Sequence, residues 1–253
     1  MKEDSVLSGK VAVVTGGYKG IGRWISDALA DAGANIVVGA RDYGRSQVAC
    51  AEIEKAGVTA IPVQCDVSKT EDVTRLINTT LEKFGTIDIL VNNAGVAGSK
   101  KRLCDITDEE WDMTMAINCR GIFYTCRAAA VEMKKRNRGK IINVTSVASF
   151  RAIASSSDYC ASKAAGYMIT KCLAIELAPY NVQVNAICPG LFPTELNPEL
   201  IAYGDKHAKK MIPAGRIGNT EDLKSIALLL ASPGSDYING AAIPVDGGYL
   251  ALG

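Results

Sequence analysis

Histidine and aromatic residues are scarce in this sequence. His207 is the single histidine, and phenylalanine, tryptophan and tyrosine together make up 6% of the 253 residues. Imidazole is the commonest protein ligand for transition metals, so a chain with one histidine is poorly supplied for a metal site. His207 also lies within the polar run GDKHAKK, where a solvated side chain is the simplest interpretation. We therefore predict no metal centre.

The sequence also lacks an excess of charge and any long apolar segment. Its 28 lysines and arginines nearly balance 27 aspartates and glutamates, which gives a net charge of +1. This balance does not favour nucleic acid or an anionic membrane surface as a partner. No apolar run approaches the roughly 20 residues of a membrane-spanning helix, and the first ten residues, MKEDSVLSGK, lack the apolar core of a signal peptide. We expect no nucleic-acid partner and no membrane association.

Paired-cysteine motifs are missing as well. The chain has eight cysteines, but none forms a CxxC pair, and most lie within helical or strand patterns. Reduced thiols in a cytoplasmic protein are the simplest interpretation of this distribution.

What the sequence does contain is a regular alternation of apolar strand patterns with helical patterns. Strands are predicted at 11–15, 35–40, 58–65, 87–93, 140–145, 182–188 and 241–247. Helices are predicted at 20–32, 44–57, 70–84, 108–136, 157–178, 195–210 and 220–231. Near-continuous apolar strands are typical of a parallel sheet covered on both faces. Together with the absence of a linker or repeat, the alternation predicts an α/β fold in which residues 1–253 form a single domain with a doubly wound parallel sheet.

A glycine-rich turn follows the first predicted strand. Gly16, Gly20 and Gly22 in TGGYKGIG have the spacing GxxxGxG. Such glycines allow the backbone to approach a pyrophosphate at a helix N-terminus, where N–H groups and the helix dipole favour anions. The alternative is that the glycines serve only a tight turn.

A hydroxyl, a phenol and an ammonium group lie close together in the stretch 146–163. Ser146 follows a predicted buried strand, and Tyr159 and Lys163 lie on the next helix. Because residues four apart share a helix face, the ammonium should lower the phenol pKa, and such a tyrosine can act as a general acid or base. Alternatively, Ser146 caps a helix, and the other two residues form an ordinary surface pair.

The residues after the second predicted strand indicate which dinucleotide binds. An acidic side chain there would accept hydrogen bonds from a free ribose 2′-OH. This position is Ala40, and the next residue, Arg41, can bind a 2′-phosphate, as can Lys19 in the glycine turn. We therefore predict NADP(H) as the cofactor. The alternative is that Arg41 is a solvated strand end that pairs with Asp42 and that Lys19 faces water. A shifted strand end could then present the Asp42 carboxylate to the ribose.

Five elements together resemble the short-chain dehydrogenase/reductase family: TGGYKGIG (15–22), NNAG (92–95), Asn118, Ser146 and YCASK (159–163). The resemblance covers essentially the whole chain and implies a Rossmann-type sheet of about seven strands, a nicotinamide cofactor and a catalytic tetrad. In that tetrad, Ser146 binds the substrate carbonyl, Tyr159 is the general acid/base, Lys163 binds the nicotinamide ribose, and Asn118 holds a water. Asn118 could instead satisfy backbone groups in its own helix.

The resemblance also assigns residues along the cofactor. Asp66 is placed at the adenine, Asn92 and Ala94 on the adenosine side, and Thr194 near the carboxamide, whereas Asn93 is interpreted as structural. Asp66 could alternatively be a capping turn residue. The full predicted cofactor-binding set is Gly16, Tyr18, Lys19, Gly20, Ile21, Gly22, Arg41, Asp66, Val67, Asn92, Ala94, Tyr159, Lys163, Pro189, Leu191 and Thr194.

The substrate is less well defined. The chain resembles both 3-oxoacyl-carrier-protein reductases and sugar or polyol dehydrogenases, with a substrate lid at about 190–215. Carrier-protein enzymes of the family use arginines where this chain has Val131 and Ile175. We therefore predict a small ketone or aldehyde, or its alcohol. The alternatives are a 3-oxoacyl-thioester substrate, with compensating charges supplied by the basic residues Arg127, Lys134, Lys135 and Arg136, and a non-catalytic nucleotide-sensing protein.

Two predicted helices have more apolar surface than the sheet requires. Apolar positions of the first are Trp111, Met115, Phe123, Ala129 and Met133, and those of the second are Ala164, Met168, Cys172 and Ile175. One face can cover the sheet, and the other needs a partner. A symmetric four-helix contact between subunits would cover this surface, as the resemblance to the family also implies. We therefore predict a homotetramer.

Overall fold

Seven parallel strands form one sheet in the order β3-β2-β1-β4-β5-β6-β7. The computed structural model describes residues 5–195, 208 and 210–252. The strands are β1 Val11–Thr15, β2 Asn35–Ala40, β3 Ala60–Gln64, β4 Ile89–Asn92, β5 Gly139–Val144, β6 Val182–Pro189 and β7 Ala242–Val245. The prediction of a doubly wound parallel sheet is confirmed.

Helices connect the strands in sequence order. They are α1 Gly20–Asp31, α2 Tyr43–Ile53, α3 Thr70–Phe84, α4 Asp108–Met115, α5 Gly121–Lys135, α6 Ser157–Leu177 and α7 Thr220–Ala231. The predicted helix at 195–210 lies almost entirely outside the described residues, as does much of the predicted lid and also His207. No helix among the described residues is both long and apolar enough to cross a bilayer.

The long helix predicted at 108–136 is interrupted. A π-helical turn, Ala116–Arg120, separates α4 from α5. Asn118 lies inside this turn and is fully buried. Such turns widen a helix locally and are frequent at functional sites. Hydrophobic periodicity alone does not distinguish this turn from ordinary helix.

The two faces of the sheet carry separate hydrophobic cores, because alternate strand residues point to opposite sides. Ala12 and Val14 of β1 pack with α1, α2 and α7, whereas Val11 and Val13 pack with α3, α5 and α6. Both faces are therefore covered, and the carboxyl ends of the strands remain at one edge. Strand β1 lies between β2 and β4, and the strand order reverses direction at this point. A crevice opens at such a reversal, and ligands bind there in sheets of this kind.

The apolar stripes predicted on α5 and α6 are only partly exposed. Ala129 and Met133 are fully buried in the core, so they belong to the face that covers the sheet. Four other apolar side chains on the two helices face outward, each about half exposed or more: Phe123, Val131, Met168 and Ile175.

Candidate active site

The glycine turn brings backbone against backbone at the end of β1. Gly16 has a φ of 65°, a conformation that L side chains rarely adopt. A Cβ at Gly22 would collide with the Asn93 side chain and the Gly16 carbonyl oxygen. Helix α1 begins at Gly20, so its first N–H groups face the crevice and can receive an anion.

Asn93 fixes this turn to the neighbouring strand. Its side-chain amide donates to the Thr15 carbonyl oxygen at 3.0 Å, and its backbone N–H donates to the Thr15 hydroxyl at 3.0 Å. The end of β4 is thereby held against the end of β1, as expected from the sequence. Asn93 also lines the groove.

A single groove runs along the carboxyl edge of the sheet from the glycine turn to Lys163. Thirteen of the sixteen predicted cofactor residues line it: Gly16, Tyr18, Lys19, Gly20, Ile21, Arg41, Asp66, Val67, Ala94, Tyr159, Lys163, Pro189 and Thr194. Ser146 lines it too. Gly22 and Leu191 do not, although Gly22 shapes the turn beneath the groove.

The side chain of Asn92 does not line the groove. It lies in the interior, where its amide nitrogen donates to Asn143 Oδ1 at 2.9 Å and its oxygen accepts from the Thr125 hydroxyl at 2.7 Å. The Asn143 amide in turn donates to Thr170 at 2.9 Å. This buried network joins β4, β5, α5 and α6, so the Asn92 side chain is committed to the core and not to the groove.

At the opposite end, Ser146 and Tyr159 both line the groove. Ser146 follows β5, and its hydroxyl accepts a hydrogen bond from the Ala148 N–H at 3.1 Å. The capping role considered for Ser146 is therefore real, but the same hydroxyl also hydrogen-bonds Tyr159 and acts to lower the pKa of that phenol. One side chain serves both purposes.

The expectation that Lys163 lowers the phenol pKa is not met. Burial raises the pKa of Tyr159 and outweighs the hydrogen bond from Ser146. Lys163 is itself buried, which lowers the pKa of its ammonium to about 8. Its Nζ donates to the Val144 carbonyl oxygen at 3.1 Å and lies 5.7 Å from the centre of the Tyr159 ring. Proximity was predicted correctly, but desolvation penalises the charged form of each group and sets the direction of both pKa shifts.

Asn118 binds the backbone that follows β4. Its Oδ1 accepts from the Val96 N–H at 2.8 Å, and its Nδ2 donates to the Val96 carbonyl oxygen at 3.0 Å and to the Ser162 hydroxyl at 3.1 Å. The alternative that Asn118 satisfies backbone groups is thus correct in kind, although the partner is a distant loop. It connects the π-helical turn, the segment at Val96 and the helix that carries Tyr159.

Three cations and a carboxylate surround the far end of the groove. Arg41 is exposed directly after Ala40, and both residues line the groove. Lys19 and Arg45 both bond to Glu195, at 2.6 and 2.8 Å. Sequence reasoning missed Arg45 and Glu195, because the 150 residues between them leave no local signal.

Asp42 does not act as the acidic ribose ligand considered from the sequence. Its side chain accepts a hydrogen bond from the Arg45 N–H at 3.0 Å and caps α2. The only residue of the β2 end that lines the groove beside Arg41 and Gly39 is the neutral Ala40, so no carboxylate of this strand end faces the groove among the described residues.

The residues fit a nicotinamide dinucleotide. Glycines at which a Cβ would clash lie at the helix N-terminus, and cations lie at one end of the groove. At the other end lie the buried Ser146 and Lys163 with the half-buried Tyr159. A groove at the switch point of such a sheet, with a tyrosine and a lysine beside it, is the arrangement expected of a nicotinamide-dependent oxidoreductase.

Comparison with known proteins identifies the family. A family model described as enoyl-(acyl carrier protein) reductase matches residues 13–250. The oxidoreductase YgcW of Escherichia coli K12 is 40% identical, covering 96% of this chain and 94% of that protein. An NAD-dependent glycerol dehydrogenase of Listeria innocua is 38% identical over 98% of this chain and 96% of its own. The chain belongs to the short-chain dehydrogenase/reductase family, as predicted, and is an oxidoreductase of the class that acts on alcohols and ketones.

A solved structure agrees in fold. A gluconate 5-dehydrogenase from Burkholderia cenocepacia J2315, in complex with NADP and tartrate, superposes with a TM-score of 0.92. It is 37% identical, and the match covers 97% of this chain and 96% of that one.

Proposed function

We propose that this protein is an NADP(H)-dependent oxidoreductase that interconverts a small ketone or aldehyde and its alcohol, with Asn118, Ser146, Tyr159 and Lys163 as its catalytic set. The observation that carries the proposal is the meeting of Ser146, Tyr159 and Lys163 in the same groove as the glycine turn. A non-catalytic nucleotide sensor would not need this acid/base set beside the dinucleotide.

A bound nicotinamide cofactor supplies or accepts the hydride. The chain supplies the proton chemistry: Tyr159 donates a proton to the carbonyl oxygen during reduction and removes one from the alcohol during oxidation. Ser146 orients that oxygen by hydrogen bonding. Lys163, held by the Val144 carbonyl, binds the ribose, and Asn118 fixes the segment at Val96 that borders the reacting groups.

The proposed preference for NADP(H) rests on the end of β2. A neutral Ala40, an exposed Arg41 and the use of Asp42 as a helix cap leave a 2′-phosphate with cationic partners. One relative is named as NAD-dependent, and a related structure was solved in complex with NADP. The preference is therefore argued from this chain's own residues.

A small substrate is supported by the outer surfaces of α5 and α6. Val131 and Ile175 are exposed apolar residues where carrier-protein enzymes are expected to have arginines. The neighbouring basic side chains already have partners: Arg127 stacks on Phe123, and Arg136 pairs with Asp88. Polyols and sugar acids are the substrate classes in the names of the glycerol and gluconate dehydrogenases.

A substrate panel tests this function. Polyols, sugar acids, small ketones and a 3-oxoacyl thioester are assayed with NADPH or NADP⁺, and with the unphosphorylated cofactors, by nicotinamide absorbance. We expect turnover of a small carbonyl or alcohol and a higher kcat/KM with the phosphorylated cofactor. Preference for the thioester would replace the small-substrate proposal, and absence of turnover on every substrate would favour the sensor.

The double variant Ala40→Asp/Arg41→Ala tests the cofactor assignment. It removes a charge-assisted contact, which typically contributes about 1.5–3 kcal/mol, and adds a like charge facing the 2′-phosphate. We expect preference to move from NADPH to NADH. A wild type that prefers NADH, or a double variant that still prefers NADPH, would contradict the assignment.

We also propose that the active unit is a cytoplasmic homotetramer of one Rossmann-type domain over residues 1–253, with the lid at about 190–215. The exposed Phe123, Val131, Met168 and Ile175 on α5 and α6 support a contact between subunits. Ile175 is 78% exposed, so Ile175→Glu should reduce the mass measured by light scattering. A monomeric wild type at micromolar concentration would exclude the tetramer.

A further inference from the structure

Glu195 joins the two walls of the groove at its cationic end. It follows Thr194, on the wall that continues from β6, and both of its carboxylate oxygens are engaged with the opposite wall. Oε2 lies 2.6 Å from Lys19 Nζ in the glycine turn, and Oε1 lies 2.8 Å from an Arg45 nitrogen at the start of α2. The two walls also meet at Gly20, where a Cβ would lie 3.5 Å from the Thr194 side chain.

The two cations are arranged as a pair around one aromatic ring. Lys19 Nζ lies 5.6 Å from the centre of the Tyr18 ring, and Arg45 lies 5.0 Å from it. The bonds to Lys19 and Arg45 hold the pKa of Glu195 at about 2, so the carboxylate is ionised at neutral pH. A single anion thus already pairs with two of the three cations, Lys19 and Arg45, at the phosphate-selecting end of the groove.

We propose that Glu195 is a specificity-determining residue that competes with the 2′-phosphate of NADP(H) for Lys19 and Arg45. This inference rests on the proposed cofactor assignment. A 2′-phosphate that reaches these cations must displace the carboxylate, whereas a dinucleotide with a free 2′-OH leaves the ion pairs in place. Glu195 therefore reduces the margin by which the protein prefers the phosphorylated cofactor, and Arg45 becomes a third cation for the phosphate beside Arg41 and Lys19.

The competition arises from linkage. A ligand that binds only the state with the carboxylate displaced has its apparent affinity reduced by the fraction of molecules in that state. Exposed ion pairs typically stabilise by up to roughly a fivefold change in an equilibrium constant. Two such pairs acting together should reduce the affinity for a 2′-phosphate by about three- to tenfold.

Binding of adenosine fragments isolates this effect from catalysis. Adenosine 2′,5′-bisphosphate and adenosine 5′-monophosphate differ at the 2′ position and carry no nicotinamide, so titration calorimetry measures the 2′-phosphate contribution directly. In Glu195→Gln we expect the bisphosphate to bind about three- to tenfold more tightly and the monophosphate to change less than about twofold. The matched control is Glu221→Gln, which removes an exposed carboxylate paired with Lys224 at 2.9 Å on α7. It should change neither affinity.

Glu195→Asp separates competition from a general change in charge. Aspartate keeps the negative charge, but its side chain is one methylene shorter and cannot retain both contacts with Lys19 and Arg45. Competition predicts that this variant also binds the bisphosphate more tightly. Tighter binding in the Gln variant but not in the Asp variant would show a general charge effect and overturn the inference.

The wild type distinguishes failure of this inference from failure of the cofactor assignment. If the wild type prefers the bisphosphate and neither Glu195 variant changes that preference, Glu195 does not compete, while the NADP(H) assignment stands. If the wild type binds the two fragments equally and the Glu195 variants do so too, both the competition and the NADP(H) assignment are wrong.

Discussion

The two ends of the groove have opposite effects on the stability of a charged side chain. At the catalytic end, Lys163 is buried, and desolvation lowers its pKa to about 8. At the phosphate end, Glu195 is exposed, and its ion pairs with Arg45 and Lys19 lower its pKa to about 2. Burial destabilises a charge, whereas pairing stabilises one. We therefore expect turnover to depend on single atoms at the catalytic end. At the phosphate end, we expect ligand affinity to depend on competing anions and on salt concentration.

The largest effect is expected on turnover, when one oxygen atom is removed from the catalytic end. Tyr159→Phe eliminates the proposed proton donor and leaves the ring in place. Since general acid/base catalysis typically contributes about 100- to 10,000-fold, turnover should fall by at least about 100-fold while calorimetry shows unchanged cofactor affinity.

A matched control lies on the same helix. Tyr167 stacks on Phe150 with ring centres 5.0 Å apart and does not line the groove. Tyr167→Phe should therefore retain turnover. Near-normal turnover in Tyr159→Phe would remove Tyr159 from the acid/base role.

Lys163→Met should stabilise the fold while abolishing catalysis. Burial lowers the Lys163 pKa from 10.5 to about 8, so between these pH values the unfolded chain binds more protons than the folded one. The folded state therefore carries a cost that is fully present below about pH 8 and disappears as the pH rises to about 10.5. A shift of this size corresponds to about 3 kcal/mol, so the free energy of unfolding in urea should rise by up to that amount at pH 7.

The pH dependence is the decisive part of this measurement. The stability difference between Lys163→Met and wild type should shrink as the pH rises toward 10. Lys171 lies on the same helix and is exposed, so Lys171→Met should show no such dependence. A Lys163→Met variant that is less stable than wild type at pH 7 would mean that the bond to Val144 outweighs desolvation.

Asn118→Ala should disturb the catalytic end through its backbone. The substitution leaves the Val96 N–H without its partner at 2.8 Å. An unsatisfied amide that is shielded from water costs about 1–3 kcal/mol. We expect a loss of this size in the free energy of unfolding, measured in urea. An Asn118→Ala variant that loses less than about 1 kcal/mol would exclude this explanation.

Sequence patterns predicted those parts of the groove that depend on residue type next to a strand end. The glycine turn after β1, Ala40 and Arg41 after β2, and Ser146 after β5 lie where expected, because carboxyl ends of parallel strands share one edge. Family, fold and this edge could thus be predicted before any coordinates.

A one-residue difference in a strand boundary explains why the Asn92 side chain lies in the core whereas Asn93 lines the groove. The fourth strand was predicted to extend through Asn93, but β4 ends at Asn92. Side chains alternate between the faces of a strand, so the last strand residue points into the core, and the next one turns toward the groove. Two adjacent asparagines offer no compositional signal that would place the boundary.

Contacts that depend on distant parts of the chain could not be predicted. The ion pair between Arg45 and Glu195 exists only because the segments after β2 and β6 meet at one edge of the sheet. The raised pKa of Tyr159 depends on how many atoms surround the phenol, whereas helical spacing reports only its distance from Lys163. Sequence reasoning located Tyr159 and Lys163 but not how far burial removes them from water.

The smallest effect is expected at the phosphate end, where salt should weaken cofactor binding. Arg41 and Arg45 are exposed, and interactions of exposed charges are screened as the Debye length falls from about 10 Å at 0.1 M salt to about 3 Å at 1 M. Raising the sodium chloride concentration over this range should weaken NADP⁺ binding several-fold more than NAD⁺ binding. Both cofactors share the pyrophosphate, so the ratio of the two dissociation constants, measured by calorimetry, isolates the 2′-phosphate. Tyr159 and Lys163, surrounded by protein, should show apparent pKa values that change little over the same range. Parallel weakening of both cofactors would mean that the 2′-phosphate does not contact these cations.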